Sequence, residues 1–175
     1  MPAIVFLTII IFGPIPAVHI FLHIFLRFWR QYPYGWYIFS VLTWVLFIVP
    51  AKYAADLSSA LFTAPIWLKA LCIAASVCAF YVVIWSVMTL GPRRFFLLGV
   101  LRPDTVAQKY IRNGPYHFLP HPAYIAYATI ILAAFFSTGE AALLIFAAVN
   151  FILMTAVICF ERNELLARIY SRGNI

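Results

Sequence analysis

Two short stretches of this sequence combine residues that can do chemistry. The first runs from residue 113 to 124, has the sequence NGPYHFLPHPAY, and holds two of the four histidines of the chain. Proline disfavours a helix before it but is accepted in the first turn, so Pro122 predicts a helix start with His121 just before it. An imidazole there changes charge near neutral pH, and the first N–H groups of a helix attract anions. The alternative is that His117 and His121 only bond to backbone carbonyls.

The second stretch begins at Glu161 and has the sequence ERNELLAR. Residues three or four apart on a helix share one face, so Glu161, Glu164, Leu165 and Arg168 fall on one side. Two carboxylates at the end of a membrane helix are costly unless they are paired or hydrated, and such residues often mark a functional site. The alternative is a solvated helix end in which Glu164 and Arg168 form an i,i+4 ion pair.

Membrane helices must position both stretches, because the composition is far from that of a soluble protein. Hydrophobic residues make up 66% of the chain and charged residues 10%, whereas soluble domains have about 25% charged residues. The net charge of +7 does not indicate a nucleic-acid partner, because basic residues are expected on the cytoplasmic side of membrane proteins, where they meet anionic lipid. We therefore expect an integral, multi-pass protein surrounded by membrane lipids.

Five segments reach or approach the length of about 20 apolar residues that a transmembrane helix needs. The short connection Thr138-Gly139-Glu140 joins the last two, which predicts an antiparallel helical hairpin. The expected fold is all-α, a polytopic single membrane domain over residues 1–175. The predicted helices cover about 3–26, 36–55, 66–90, 122–137 and 141–160. The domain would therefore consist of three spans in residues 1–90, a cytoplasmic loop in 91–121, the hairpin in 122–160 and a cytoplasmic segment in 161–175.

The basic residues predict the orientation of these helices. Lys52 and Lys69 would lie on one side of the membrane and the other ten of the 12 basic residues on the opposite side. The positive-inside rule then places the amino terminus outside and the carboxyl terminus in the cytoplasm. Both chemical stretches would face the cytoplasm and lie close together. The ten residues are Arg27, Arg30, Arg93, Arg94, Arg102, Lys109, Arg112, Arg162, Arg168 and Arg172.

Other kinds of site have little support in the sequence. It contains no glycine-rich phosphate loop, no dinucleotide fingerprint and no HExxH zinc motif. Cys72, Cys78 and Cys159 lie in apolar segments without metal-binding spacing, so we expect neither a disulfide framework nor a metal site. His19 and His23 are i,i+4 on one face of the first helix. Packing or hydrogen bonding explains them, and a role facing a substrate is the alternative.

The run RNGPYHFLPHPAYIAY resembles the cofactor motif of the isoprenylcysteine carboxyl methyltransferase and phospholipid methyltransferase superfamily. The pattern of that superfamily is GPYRYxRHPxYxG, followed after one helical hairpin by EExxLxxxFG. The resemblance covers about residues 91–170, almost half of the chain. The matching residues are Gly114, Pro115, Tyr116, His121, Pro122, Tyr124, Glu161 and Leu165.

This resemblance implies a small polytopic methyltransferase that uses S-adenosyl-methionine. The cofactor pocket would face the cytoplasm, and a lipophilic acceptor, either like an isoprenylcysteine carboxylate or like a phospholipid amine, would enter from the bilayer. A carboxylate acceptor needs no base, whereas an amine needs one, and Glu161 or His121 could serve. We assign catalysis to Glu161, Glu164 and Arg168. The expected cofactor-binding residues are Gly114, Pro115, Tyr116, His121, Pro122, Tyr124 and Glu161.

The chain departs from the superfamily pattern at several positions. His117 and Pro120 replace its two arginines, and Arg162 replaces its second glutamate. Glu164 could take over from that glutamate. These changes favour, as one alternative, a non-catalytic relative that acts as a lipid-binding or interaction scaffold. Another alternative is a nicotinamide-dependent membrane reductase, because related reductases have a similar carboxyl-terminal hairpin and Arg93, Arg94 and Arg102 could form a phosphate site.

Overall fold

A computed structural model describes residues 2–103, 105 and 111–172 of the chain, with side chains described only between residues 3 and 164. This part of the chain contains no β-strand, and its one strand-like feature is an isolated bridge between Ala60 and Glu140. The all-α prediction is therefore confirmed. The helices are α1 Pro2–Phe12, α2 Pro14–Ile24, α3 Leu26–Gln31, α4 Pro33–Leu46, α5 Ile48–Leu57, α6 Ile66–Leu90, α7 Pro92–Phe95, α8 Leu98–Leu101, α9 Pro122–Thr138 and α10 Ala141–Arg172, and a 3₁₀ turn covers Gly114–His117.

Within the described residues, four continuous helical segments are long and apolar enough to cross a membrane, and α9, with 17 residues, is a shorter apolar helix. The four are Ala3–Ile24, Pro33–Leu57, Ile66–Leu90 and Ala141–Glu164. They agree with the predicted segments, and the two largest differences are at the start of the second segment and the end of the last. The second begins three residues early because Pro33 is accepted in a first helical turn. The last continues as helix beyond the predicted boundary, so Glu161 and Glu164 sit on α10 itself.

The helical hydrogen-bond pattern of the first span is interrupted where α1 meets α2, at Gly13. Pro16 has no N–H and cannot bond to the Phe12 carbonyl one turn earlier. The Tyr127 hydroxyl on α9 lies 2.8 Å from this carbonyl and also faces the amide oxygen of Asn150 on α10, so its one proton is shared between two acceptors. A polar junction deep in the bundle therefore ties three helices together at this interruption.

One end of the bundle, which we call the turn end, is the α9–α10 connection around Gly139. Gly139 adopts a φ of 73°, and a Cβ there would lie 2.1 Å from the Phe62 carbonyl oxygen, so the loop before α6 packs directly on the turn. The Leu61 N–H donates to the Gly139 carbonyl at 2.8 Å, and Ser58 donates to the Glu140 carboxylate at 2.7 Å. The predicted hairpin is thus present and held by backbone and side-chain bonds.

The opposite end, which we call the loop end, carries the 3₁₀ turn and the start of α9. Helix α6 packs along α9 and contacts the 3₁₀ turn, while α2 and α9 both pack on α10. The short helices α3 and α8 cover this end, where Arg30 donates to the Val100 carbonyl at 3.1 Å. Three spans and one loop therefore converge on the loop end.

Candidate functional site

The start of α9 holds His121 and Tyr124 together. His121 is the residue before the helix and Pro122 is its first residue, as the sequence predicts. The two rings stack almost parallel, with their centroids 5.6 Å apart and 10° between the ring planes. The N–H groups of Tyr124 and Ile125 already donate to the His121 carbonyl. This helix start therefore has fewer N–H groups to offer an anion than we expected.

Helix α10 brings Glu161 to this aromatic pair. The Tyr124 hydroxyl donates a hydrogen bond to Oε1 of Glu161, across a separation of 37 residues in sequence. The other carboxylate oxygen, Oε2, lies 3.9 Å from Nδ1 of His121. The side chains of His121 and Glu161 remain 31% and 23% exposed, so a ligand can reach both. The two chemical stretches therefore form one cluster.

Tyr116 reaches the same cluster from the 3₁₀ turn. Burial raises the pKa of Tyr116 to about 12, the nearby Glu161 carboxylate adds to this rise, and a hydrogen bond with Ser86 opposes it. The phenol consequently stays protonated at neutral pH and can donate a hydrogen bond. Burial also lowers the pKa of His121. Its imidazole is therefore neutral at pH 7, with one nitrogen able to accept a proton.

Gly114 and Pro115 shape the turn that carries Tyr116. Gly114 has a φ of 56°, and a Cβ at this position would lie 2.5 Å from Oγ1 of Thr89 and 3.2 Å from the indole nitrogen of Trp85. Pro115 is buried. Both residues thus fit the turn tightly against α6, and their predicted role in cofactor binding stays a prediction.

Helix α2 contributes two histidines to the cluster. His23 Nδ1 lies 2.6 Å from Oε1 of Glu164, and its ring stacks on Phe160 with centroids 6.0 Å apart. His19 donates from Nδ1 to the carbonyl one turn earlier, and its ring meets that of Tyr124 edge-on at 6.2 Å. The motif resemblance missed this contribution, although the i,i+4 spacing of the two histidines near the end of the first span was a visible signal. Arg168 lies on α10 beyond the described side chains.

An apolar groove opens from this cluster and runs between α9 and α10. It has a volume of about 780 Å³, with His121 and Tyr124 at one end and Leu132 and Leu144 near the other. Its wall on α10 extends from Ile158 to Leu144, which is about 21 Å at 1.5 Å per residue. This length is more than half of the hydrocarbon thickness of a bilayer, about 30 Å. The groove can therefore hold an extended hydrocarbon chain whose polar end lies at the cluster.

Residues 67–173 match the family model of phospholipid methyltransferases. The chain belongs to the phospholipid methyltransferase family. No curated protein and no solved structure matches it. Membership in this family, together with the apolar helices, makes the chain a multi-pass membrane protein of a methyltransferase family that acts on lipid.

The segment that matches the phospholipid methyltransferase family begins at the start of α6 and includes the 3₁₀ turn, α9 and all of α10. Tyr116, Tyr124 and Glu161 lie within it. His19 and His23 lie outside it, on the first span. Among the departures from the superfamily pattern, Pro120 is exposed at the mouth of the groove and Arg162 is exposed on α10. Within the described part of the chain, no group of three or more His, Cys, Asp or Glu side chains could hold a metal ion.

Proposed function

We propose that this protein is an S-adenosyl-methionine-dependent methyltransferase that acts on a lipophilic acceptor embedded in the membrane. One observation carries the proposal. The residues of two motifs separated in sequence, Tyr124 and Glu161, are joined by a hydrogen bond at the mouth of a groove long enough for a hydrocarbon chain. Reactive groups and a lipid-sized groove therefore meet at one point.

The residues of the cluster fit a cofactor with a positive charge. Glu161 and Glu164 remain 23% and 21% exposed and carry carboxylates that attract cations. The stacked rings of His121 and Tyr124 offer an aromatic face, which suits both a flat base and a sulfonium. When bound, S-adenosyl-methionine supplies an activated methyl group that a nucleophile can take by direct displacement. The protein then has mainly to orient the two reactants and exclude water.

The acceptor would lie with its hydrocarbon chain in the groove and its polar end beside Glu161. Both acceptor types remain compatible with this placement. A carboxylate acceptor attacks without losing a proton, whereas an amine must first lose one. For an amine, Glu161 Oε2 and the neutral imidazole of His121 lie 3.9 Å apart and can take up and pass on that proton.

The distribution of basic residues supports a site that faces the cytoplasm. Arg27, Arg30, Arg93 and Arg94 all belong to the loop end, the same end as the cluster. Lys52 is on α5 towards the turn end. The positive-inside rule then assigns the loop end to the cytoplasm. The proposed organisation of the single membrane domain is accordingly three spans in residues 1–90, a cytoplasmic loop in 91–121, the hairpin in 122–160 and a cytoplasmic segment in 161–175.

Calorimetric titration of the detergent-purified protein with S-adenosyl-homocysteine tests this proposal. We expect micromolar binding by the wild-type protein and a loss of at least tenfold in Tyr124→Phe, which removes the donor to Glu161 and with it a charged hydrogen bond worth about 1.5–3 kcal/mol. The matched control is Tyr53→Phe, because Tyr53 is exposed on α5, far from the loop end.

Absence of binding by the wild-type protein would contradict the proposal. It would favour a non-catalytic relative, because Pro120 and Arg162 stand at exposed positions where the superfamily pattern has an arginine and a glutamate. NADPH would be titrated next, since a nicotinamide-dependent reductase would bind that ligand instead.

A further inference from the structure

The site contains two carboxylates although the second glutamate of the superfamily pattern is missing. Arg162 occupies that position and is exposed. Glu164, two residues after Arg162, is 21% exposed and bonded to His23. Glu161 and Glu164 are three apart on α10, so both point to the same side of the helix. Each receives a hydrogen bond from a different helix, Glu161 from Tyr124 on α9 and Glu164 from His23 on α2.

His23 is held firmly between groups of α10. Its side chain is only 1% exposed, Nδ1 lies 2.6 Å from Oε1 of Glu164, and its ring is within 14° of parallel to that of Phe160. Phe160 and Glu164 are one helical turn apart, so the imidazole contacts two successive turns of the same face. Because these contacts hold the His23 ring in place, the ring in turn holds the Glu164 carboxylate in one orientation.

The second ring nitrogen of His23 indicates which nitrogen faces Glu164 as a donor. Nε2 is buried and has no hydrogen-bond partner among the residues that the structure describes. A proton on Nε2 would therefore be a buried N–H without an acceptor, which is costly. The Nδ1–H of the ring accordingly donates to Glu164 and orients this carboxylate.

Two carboxylates held on one face of α10 at the loop end favour a compact cation that brings its own donors. An ammonium group has one positive charge and up to three N–H donors. Within the proposed reaction, such a group occurs in two places, the amino-acid end of the cofactor and the head of an amine lipid. The chemistry at Glu164 is the same for both.

We propose that His23 is a positioning residue that makes Glu164 the second carboxylate of the methyl-transfer site, where this carboxylate binds an ammonium group. The proposal rests on the proposed function, and it extends the site to the first span, outside the segment that matches the family. The pair of His23 and Glu164 takes the place of the glutamate that Arg162 has replaced.

Three variants test the pair. His23→Phe keeps an aromatic ring against Phe160 but removes the donor to Glu164. His23→Asn restores a donor, because its side-chain amide nitrogen sits close to the place of Nδ1. Glu164→Gln removes the charge itself. His117→Asn is the matched control, since His117 is exposed and its ring contacts Phe118. The melting temperature of each variant in detergent establishes that it is folded.

Two measurements distinguish the two sources of the ammonium group. The first is calorimetric titration with S-adenosyl-homocysteine, and the second is methyl transfer to vesicles of phosphatidylcholine and phosphatidylethanolamine. If Glu164 holds the amino group of the cofactor, His23→Phe weakens S-adenosyl-homocysteine binding by about tenfold or more, the effect of losing one charged hydrogen bond. If Glu164 holds the amino group of the lipid, that binding is unchanged and kcat/KM for phosphatidylethanolamine falls by a similar factor.

In both cases we expect His23→Asn to recover most of the loss. The double variant of His23→Phe with Glu164→Gln should be no worse than Glu164→Gln alone, because His23 acts through Glu164. Unchanged binding and turnover in His23→Phe would overturn the proposal, as would equal losses in His23→Phe and His23→Asn. If His23→Phe does not fold, Glu164→Gln must show the loss by itself. Failure of the wild-type protein to bind S-adenosyl-homocysteine is a different result, which refutes the proposed function and this inference with it.

Discussion

The two ends of the helical bundle each contain a glutamate that accepts a hydroxyl hydrogen bond, yet their surroundings differ. At the turn end, Glu140 is 7% exposed and accepts a bond from Ser58, next to a backbone bridge that seals the loop onto the turn. At the loop end, Glu161 accepts a bond from Tyr124 but remains 23% exposed, beside His121 and the mouth of the groove. A similar hydrogen bond therefore has a structural role at one end and leaves a reactive group accessible at the other.

The difference arises from what packs around each carboxylate. Glu140 is enclosed by a turn whose glycine allows the Phe62 backbone to approach closely. Glu161, in contrast, is surrounded by titratable side chains from α2, α9 and the 3₁₀ turn rather than by backbone. Accessibility together with neighbouring acid–base groups, and not the presence of a buried carboxylate, distinguishes the candidate site.

The largest expected effect comes from removing the charge at each end. Glu161→Gln should lower methyl transfer by about 100-fold or more, the range for the loss of a group that acts on the reacting atoms, while its melting temperature changes little. Glu140→Gln should leave turnover within about twofold and cost about 0.5–1.5 kcal/mol of stability, because the buried bond from Ser58 then has a neutral acceptor in place of a charged one. Turnover with labelled S-adenosyl-methionine and thermal unfolding in detergent measure the two effects. Equal loss of turnover in both variants would remove the distinction between the two ends.

The sequence predicted the parts of this fold that depend on composition and local spacing. The five apolar segments, the hairpin at Gly139 and the helix start at Pro122 all occur where hydrophobicity and backbone preferences place them. The meeting of Tyr124 with Glu161 was expected only because a family motif joins the two stretches. Neither periodicity nor spacing would have given a contact between residues 37 positions apart.

Other features depended on packing between distant segments and could not be predicted. The bond between His23 and Glu164 spans 141 residues, and no local pattern specifies which helices become neighbours. The close approach of Thr89 on α6 to Gly114, which requires a residue without a side chain there, is likewise a tertiary contact. The bond from Tyr127 to the Phe12 carbonyl follows from Pro16 in principle, because a proline leaves a carbonyl without its helical donor. The partner of that carbonyl, however, is a matter of tertiary structure.

Gly139→Ala should have the next largest effect and should act on stability alone. Its φ of 73° is unfavourable for alanine, and the new Cβ would lie 2.1 Å from the Phe62 carbonyl oxygen, which is backbone and cannot move aside easily. We expect a loss of about 2 kcal/mol or more. Gly91→Ala is the matched control, because Gly91 has a φ of 76° but nothing within 4 Å of the added Cβ. A lower melting temperature for Gly139→Ala than for Gly91→Ala isolates the contact with Phe62, and equal values would show that only backbone strain matters.

Tyr127→Phe should have a smaller effect, on the junction between α1 and α2 in the first span. The substitution removes the hydroxyl that donates to the Phe12 carbonyl at 2.8 Å and leaves the aromatic contact with Phe12 in place. We expect about 1–2 kcal/mol of destabilisation, because a buried carbonyl loses its partner. Methyl transfer should change little, because the substitution keeps the ring of Tyr127 that lines the groove and the removed hydroxyl is about one helical turn from Tyr124. Thr129→Val is the control, since the Thr129 hydroxyl bonds within its own helix and is exposed. A loss in Tyr127→Phe no larger than in this control would contradict the structural role.

The smallest expected effect is the pH dependence that His121 adds at the loop end. Burial lowers the pKa of His121 below its ordinary value of 6.5 in the folded protein. The unfolded chain therefore binds more protons than the folded one between the lowered pKa and about 6.5, and stability rises with pH across that interval. The contribution of His121 is fully present above pH 6.5 and is lost as the pH falls below it. Comparing the melting temperatures of the wild-type protein and His121→Asn from pH 7.5 to 5 should show a shallower acid slope for the variant, and identical slopes would mean that His121 is as easily protonated in the fold as in the unfolded chain.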